Sequence, residues 1–223
     1  MEPHFNSMVP EGVSVHTARV KLGQEVTPDT LMEMEKDMER AADLLGTIPV
    51  DIILYGCTSG SFIKGPGYDI QLIKKMERAS GGIPSTTTST SVVAALKTLD
   101  LKKIVVATPY IKEINEAEKK FLEKSGFEVA EVRGLELKIH NEISSQPPYV
   151  IYRLARNVFK DNSHVDGVFI SCTSLRAPEI IDILERDIRK PVVTSTQASV
   201  WNALRTIGII DSIQGYGKLL REY

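Results

Sequence analysis

The sequence predicts an α/β protein built from two similar layered halves, and three features carry that expectation. Short apolar runs with polar exits alternate with helix-length amphipathic stretches, the pattern of parallel α/β layers. A ten-residue stretch occurs twice: Val50-Asp51-Ile52-Ile53-Leu54-Tyr55-Gly56-Cys57-Thr58-Ser59 returns as Val165-Asp166-Gly167-Val168-Phe169-Ile170-Ser171-Cys172-Thr173-Ser174. A second block, Thr88 to Leu99, lines up with Thr196 to Ile207, and each follows a proline, Pro84 or Pro191. Two blocks repeated in the same order imply two Rossmann-like α/β/α domains with parallel sheets, related by a pseudo-twofold axis. The expected division is residues 1–90 plus 195–223 for the first domain, with Cys57, and 91–194 for the second, with Cys172. The site is then expected in the interdomain cleft, where small-molecule sites usually lie.

Taken in order, residues 1–12 read as irregular and polar. The spacing of Val13, Val15, Ala18 and Val20 predicts a short strand. Pro28-Asp29-Thr30 opens a helix over 29–45, with Leu31, Met34, Met38, Ala41 and Leu45 on one face and Gly46 as its stop. The repeated strand spans 50–56, and the turn Lys64-Gly65-Pro66-Gly67 leads to a helix over 69–79. The hydroxyl run at 84–91 reads as a strand end and a helix N-cap, with a polar ligand site as the alternative. A helix over 91–99, a strand at 103–110, a helix over 115–124 and an alternating strand at 127–132 follow. Residues 133–147 read as loop, and Pro147-Pro148 leads into a helix over 149–160. After the second repeat come a helix over 178–189 with Pro178 in its first turn, a strand at 191–194 and a last helix from near Ala198.

Bulk properties exclude several classes. The 223 residues, 42% hydrophobic, are enough to bury a real core. A net charge of -2 and a pI of about 6.1 give no electrostatic case for a nucleic-acid or anionic-membrane partner. No apolar run approaches the ~20 residues that cross a bilayer, and the first residues are not a signal peptide, so a cytoplasmic location is expected. Two cysteines are not a disulfide framework, and His4, His16, His140 and His164 lack metal-ligand spacing, so no metal is expected. The chain has neither a Gly-x-Gly-x-x-Gly fingerprint nor a P-loop, and no cofactor is expected.

The only two cysteines therefore sit at matching strand ends, where ligands of open α/β sheets bind. A thiolate is both nucleophile and base, and a helix N-terminus after each cysteine would favour its ionisation. Thr58, Ser59, Thr173 and Ser174 offer hydroxyls and backbone N–H groups suited to a substrate carboxylate. A substrate between two thiols is reachable from opposite faces. That fits two-sided proton transfer beside a carboxylate, or addition by one thiol with proton delivery by the other. The bland reading of a lone strand-end cysteine is a small buried hydrophobe; the matched pair argues against it.

At these residues the chain resembles the aspartate/glutamate racemase superfamily, and within it the maleate cis–trans isomerase and arylmalonate decarboxylase group. The carriers are Glu2-Pro3, Pro10-Glu11-Gly12-Val13-Ser14-Val15-His16-Thr17-Ala18-Arg19, Tyr55-Gly56-Cys57-Thr58-Ser59-Gly60-Ser61, Ala107-Thr108-Pro109-Tyr110, Ser171-Cys172-Thr173-Ser174-Leu175-Arg176, and Thr194-Ser195-Thr196-Gln197-Ala198 with Trp201. The resemblance implies that Cys57 adds to the double bond of maleate and that Cys172 is the acid/base at the neighbouring carbon. It implies carboxylate contacts from Thr58, Ser59 and Tyr110, and a backbone donor at Thr173. Asn141 matches the later carboxylate-binding asparagine by spacing. It also implies a small carboxylate or dicarboxylate substrate, no cofactor and a homo-oligomer. Arylmalonate decarboxylases keep only the second cysteine, so Cys57 favours isomerase or racemase. Family members place a strand and a Pro-Ser-Ser-Asn-Thr-like loop before the Glu-Pro motif. Here Glu2-Pro3 follows Met1 directly, so either the true start lies upstream or the site is incomplete. The rivals are a malonate-type decarboxylase using Cys172, an inactive dicarboxylate-binding homologue, and a redox-responsive thiol pair.

Overall fold

The computed structural model describes residues 1–223. In chain order its elements are α1 (Glu2–Met8), α2 (Pro28–Glu33), α3 (Glu35–Leu45), β1 (Ile53–Tyr55), α4 (Thr58–Phe62), α5 (Tyr68–Ala79), β2 (Ser85–Thr87), α6 (Thr88–Thr98), β3 (Lys103–Thr108), α7 (Lys112–Lys124), β4 (Glu128–Gly134), α8 (His140–Ser144) and α9 (Pro148–Asp161). Then come β5 (Gly167–Ile170), a 3-10 turn (Ala177–Ile180), α10 (Ile181–Ile188), β6 (Val192–Thr194), α11 (Ser195–Thr206) and α12 (Gly217–Glu222).

The strands form two parallel sheets, as the strand–helix alternation predicts. One is the pair β1–β2, with Ile53 opposite Ser85 and Tyr55 opposite Thr87. The other has the order β4-β3-β5-β6. Its central strands β3 and β5 are covered on both faces, which explains their unbroken apolar runs: Ile104 to Ala107 and Val168 to Ile170 are all buried. Each such Val or Ile contributes roughly 1.5–3 kcal/mol by leaving water.

The second repeated block becomes a pair of facing helices. α6 and α11 pack together, Ser199 Oγ donates to Thr88 Oγ1 at 3.1 Å, and Asn202 Nδ2 donates to Thr86 Oγ1 and Ser91 Oγ at 3.1 Å each. Thr87 caps α6 by accepting from Thr90 N, and Thr194 caps α11 by accepting from Gln197 N. The sequence match sets Thr88 against Thr196, one residue out of step with these caps. One continuous apolar core of 49 buried residues joins both sheets and their helices, so neither half is packed independently of the other.

Several local expectations are corrected. Residues 13–20 form no strand: the alternating Val13, Val15, Ala18 and Val20 are half-buried, but none of them pairs with a strand. Residues 2–8, expected irregular, form α1, with Pro3 in the first turn where its missing N–H costs nothing. The single helix expected over 29–45 is two, divided at Met34. The loop at 133–147 contains α8, and α12 lies beyond the helix expected to be last.

Candidate active site

The first cysteine loop leaves β1 and turns at once into α4. Cys57 is the N-cap residue, with ordinary extended backbone (φ -134°, ψ 114°), and Gly60 N–H reaches back to its sulfur at 3.3 Å. Glycine is required there: a Cβ on Gly60 would lie 2.9 Å from both Cys57 Sγ and the Tyr55 hydroxyl. The hydroxyl run pins the loop from behind. Ser61 Oγ donates to Cys57 O at 2.7 Å, Ser89 Oγ donates to Thr58 O at 3.1 Å, and Thr88 Oγ1 donates to Tyr55 O at 3.3 Å. The run's Thr88 and Ser89 hydroxyls are thus tied to the backbone of the loop, in keeping with the strand end and N-cap expected of it. Met34 Sδ, at the division between α2 and α3, lies 4.0 Å from Cys57 Sγ. Phe62 stacks on Phe121 of α7 with ring centroids 6.0 Å apart, fixing the far end of α4.

The second loop has the same tripeptide and a different backbone. Cys172 sits at φ +98°, a left-handed conformation that costs a non-glycine residue on the order of 1–3 kcal/mol. No α-helix follows it directly; a turn leads to the 3-10 segment, so the helix N-terminus considered for this cysteine is absent. Its sulfur instead faces the Tyr110 hydroxyl and the N–H groups of Ser174 and Leu175. The peptide is clamped: Cys172 N–H donates to Ser195 Oγ at 3.0 Å, and Ser171 N–H donates to Ala107 O at 2.9 Å.

The two loops meet. Thr58 Oγ1 donates to the same Ser195 Oγ at 2.9 Å, and Thr173 Oγ1 donates to Gly56 O at 3.0 Å. Thr58, Ser59, Tyr110, Cys172 and Thr173 are all buried, and Cys57 and Ser174 are half-buried. Asn141 is not brought to the loops by any hydrogen bond; it is exposed on α8, while its neighbour His140 places Nε2 3.4 Å from Ser174 Oγ. Ser195, which ties the loops together, stands in the sequence only as part of the Thr194-Ser195-Thr196-Gln197-Ala198 stretch, with no site role expected of it. Its signal is a hydroxyl directly after the cap threonine, matched by Thr88 after Thr87.

Burial sets the protonation of both thiols. It pushes Cys57 up to about 11 against the opposing effect of the Gly60 N–H, with the nearby Cys172 adding to the rise. Burial likewise raises Cys172, opposed by Tyr110 and the Ser174 and Leu175 N–H groups. In the ligand-free site both cysteines are therefore thiols at neutral pH, and the ionisation expected from helix N-termini is outweighed. The Tyr110 hydroxyl is raised well above its ordinary range by burial and remains a donor. Two open hollows of about 450 and 640 Å³ are lined by charged side chains, such as Arg189 and Lys218 in one and Lys74 and Arg78 in the other; neither includes a cysteine loop.

Fold and site together define an α/β protein in which two cysteine loops at the ends of parallel strands are tied to each other. A sequence model of arylmalonate decarboxylase matches residues 3–220, and the chain belongs to that family. It is 30% identical over 201 residues to the arylmalonate decarboxylase of Bordetella bronchiseptica, covering 88% of this chain and 82% of the relative. It is 27% identical over 214 residues to the maleate isomerase of Nocardia farcinica, covering 94% and 84%. Among solved structures, a cysteine-to-serine mutant of the Nocardia farcinica maleate cis–trans isomerase with a covalently bound succinylcysteine intermediate superposes with a TM-score of 0.92 at 25% identity, covering 99% of this chain and 91% of that one. A glycine-to-cysteine, cysteine-to-serine double mutant of arylmalonate decarboxylase in liganded form superposes with a TM-score of 0.87 at 28% identity, covering 92% and 86%. No helix is long and apolar enough to cross a membrane.

Proposed function

We propose that this chain isomerises a small dicarboxylate, maleate to fumarate, with Cys57 as nucleophile and Cys172 as acid/base. The observation that carries the reading is the pair of thiols on loops tied to one another through Ser195 and through Thr173 and Gly56. The relative trapped with a succinylcysteine supports the same chemistry. As a thiolate, Cys57 Sγ adds to one alkene carbon, and the displaced π pair takes the Cys172 proton at the other. The former double bond, now single, rotates. The Cys172 thiolate then removes a proton as the C–S bond breaks, releasing fumarate and the Cys57 thiolate. Thr58, Ser59, Tyr110, Thr173 and Ser174 hold the carboxylates, with Asn141 joining them if α8 moves inward. The two halves divide near residues 90 and 195. Since burial holds Cys57 near 11, turnover rises with pH through the neutral range.

Proton NMR of maleate with the wild-type protein, Cys57→Ala and Cys172→Ala tests this. Wild type forms fumarate, and each variant loses about a thousandfold or more while remaining folded. Full turnover by Cys57→Ala would refute the two-thiol mechanism. A second reading, an arylmalonate-type decarboxylase using Cys172, is favoured by the family match and the Bordetella bronchiseptica relative. Carbon dioxide release from an arylmalonate, abolished by Cys172→Ala and indifferent to Cys57→Ala, selects it.

A further inference from the structure

Behind the second cysteine lies a buried acid. Glu118 falls on the inner face of α7 with Ile114, Phe121 and Leu122, a position where an apolar residue is the norm, and it is 1% exposed. Ser171 Oγ donates to its Oε1 at 2.5 Å, and its Oε2 is buried with no hydrogen-bond partner at all. Ser171 is the residue directly before Cys172, whose left-handed backbone persists only if its surroundings hold it there. We propose that Glu118 is a positioning residue whose carboxyl, by gripping the Ser171 hydroxyl, locks the Cys172 peptide in its left-handed conformation.

The surroundings fit a neutral carboxyl. Burial raises Glu118 to about 8, and the Ser171 hydrogen bond only partly opposes this. The titratable group facing it is the Tyr110 hydroxyl. α4, packed on α7, carries no ionisable side chain. On β4, Glu131 and Arg133 pair with each other and Arg133 with Asp161, and Glu128 pairs with Lys103. No cation therefore neutralises Glu118. The locked peptide aims the Cys172 sulfur at the Ser174 and Leu175 N–H groups and at Tyr110, the donors that favour its thiolate.

The inference rests on Cys172 being a site thiol, and its test needs no substrate. Iodoacetamide alkylation of each cysteine is followed at pH 7.5 by peptide mass spectrometry in wild type, Glu118→Gln, Glu118→Leu and Ser171→Ala. Glu118→Leu and Ser171→Ala are expected to slow Cys172 alkylation about tenfold while leaving Cys57 within twofold, and Glu118→Gln, neutral and still an acceptor, stays near wild type. Ser171→Ala carries the prediction if Glu118→Leu does not fold. Unchanged or faster Cys172 alkylation in Ser171→Ala, or equal slowing of both cysteines, overturns the proposal. Failure to turn over maleate refutes the isomerase reading and leaves this result standing.

Discussion

The two Cys-Thr-Ser loops share a sequence and differ in nearly everything that surrounds it. At Cys57 the chain runs from extended backbone straight into a helix, and the sulfur is held by the Gly60 N–H of its own loop. At Cys172 the chain is forced into a left-handed turn, and the restraints come from distant elements: Ser195, Tyr110 and, through Ser171, Glu118. The residue before the cysteine shows the difference most plainly. It is Gly56 in the first copy, with no side chain to offer, and Ser171 in the second, with a hydroxyl for a buried acid. Even the acidic starts diverge. Asp51 is exposed, whereas Asp166 accepts the N–H groups of Lys102 and Lys103 at 3.0 and 2.8 Å. A repeated tripeptide thus fixes where two thiols go; the non-repeated neighbours decide how firmly each is held.

The largest effect that would break this asymmetry concerns Glu118, which has no counterpart behind Cys57. Its folded value lies above its ordinary one of 4.5, near 8, because of burial. A group raised on folding stabilises the native state below its unfolded value and loses that contribution as pH climbs toward the folded value. The wild type should therefore lose roughly 4 kcal/mol relative to Glu118→Gln between pH 4.5 and 8. Urea unfolding of both proteins across that range measures it, and parallel stability curves would show that Glu118 is ordinarily ionised.

The next effect probes the bridge. Ser195 Oγ accepts from Thr58 in one loop and from the Cys172 backbone in the other. Ser195→Ala leaves a buried N–H and a buried hydroxyl without partners, at a cost of about 2 kcal/mol. Thr58→Val removes only the first loop's bond and should cost less, because the fixed Cys172 N–H keeps its acceptor. Equal losses in chemical denaturation would mean that the second loop is no more tightly held than the first.

How much of this was legible follows the range of each interaction. Apolar runs bounded by small polar residues marked β3, β5 and both cysteine loops, because a buried parallel strand needs nothing beyond its own residues to declare itself. The repeat likewise announced that the loops are paired. The left-handed Cys172 was not legible, since the same Cys-Thr-Ser precedes a helix in one copy and a turn in the other. The helix expected over 29–45 divides at Met34, whose sulfur lies beside Cys57, and the first residue of α8 bonds to Gln24 O and meets Ser174, contacts that are all distant in sequence. Glu118 hid inside an amphipathic pattern whose charged residues are otherwise outward, as at Glu116 and Lys119. Asn141, set by spacing against a family pattern, falls on a helix that the spacing did not foresee.

The smallest effect tests whether the asymmetry extends to the paired helices. Thr87 caps α6 by side chain alone, whereas Thr194 and Gln197 form a reciprocal capping box on α11, with Thr194 N–H donating to Gln197 Oε1 at 3.1 Å. Gln197 is further tied down, its Nε2 donating to Tyr216 O at 2.6 Å, so the box also anchors the segment before α12. Thr87→Ala should cost about 1 kcal/mol, the ordinary worth of an N-cap. Thr194→Ala should cost measurably more, because α11 also presents Ser195 to both loops, and a frayed first turn would loosen the Cys172 clamp with it. Thermal unfolding ranks the two variants, and iodoacetamide reports whether Cys172 shifts in the second alone. If Thr87→Ala proves the costlier of the two, the tighter restraint lies on the Cys57 side, and the order of the loops is the reverse of the one argued from their backbones.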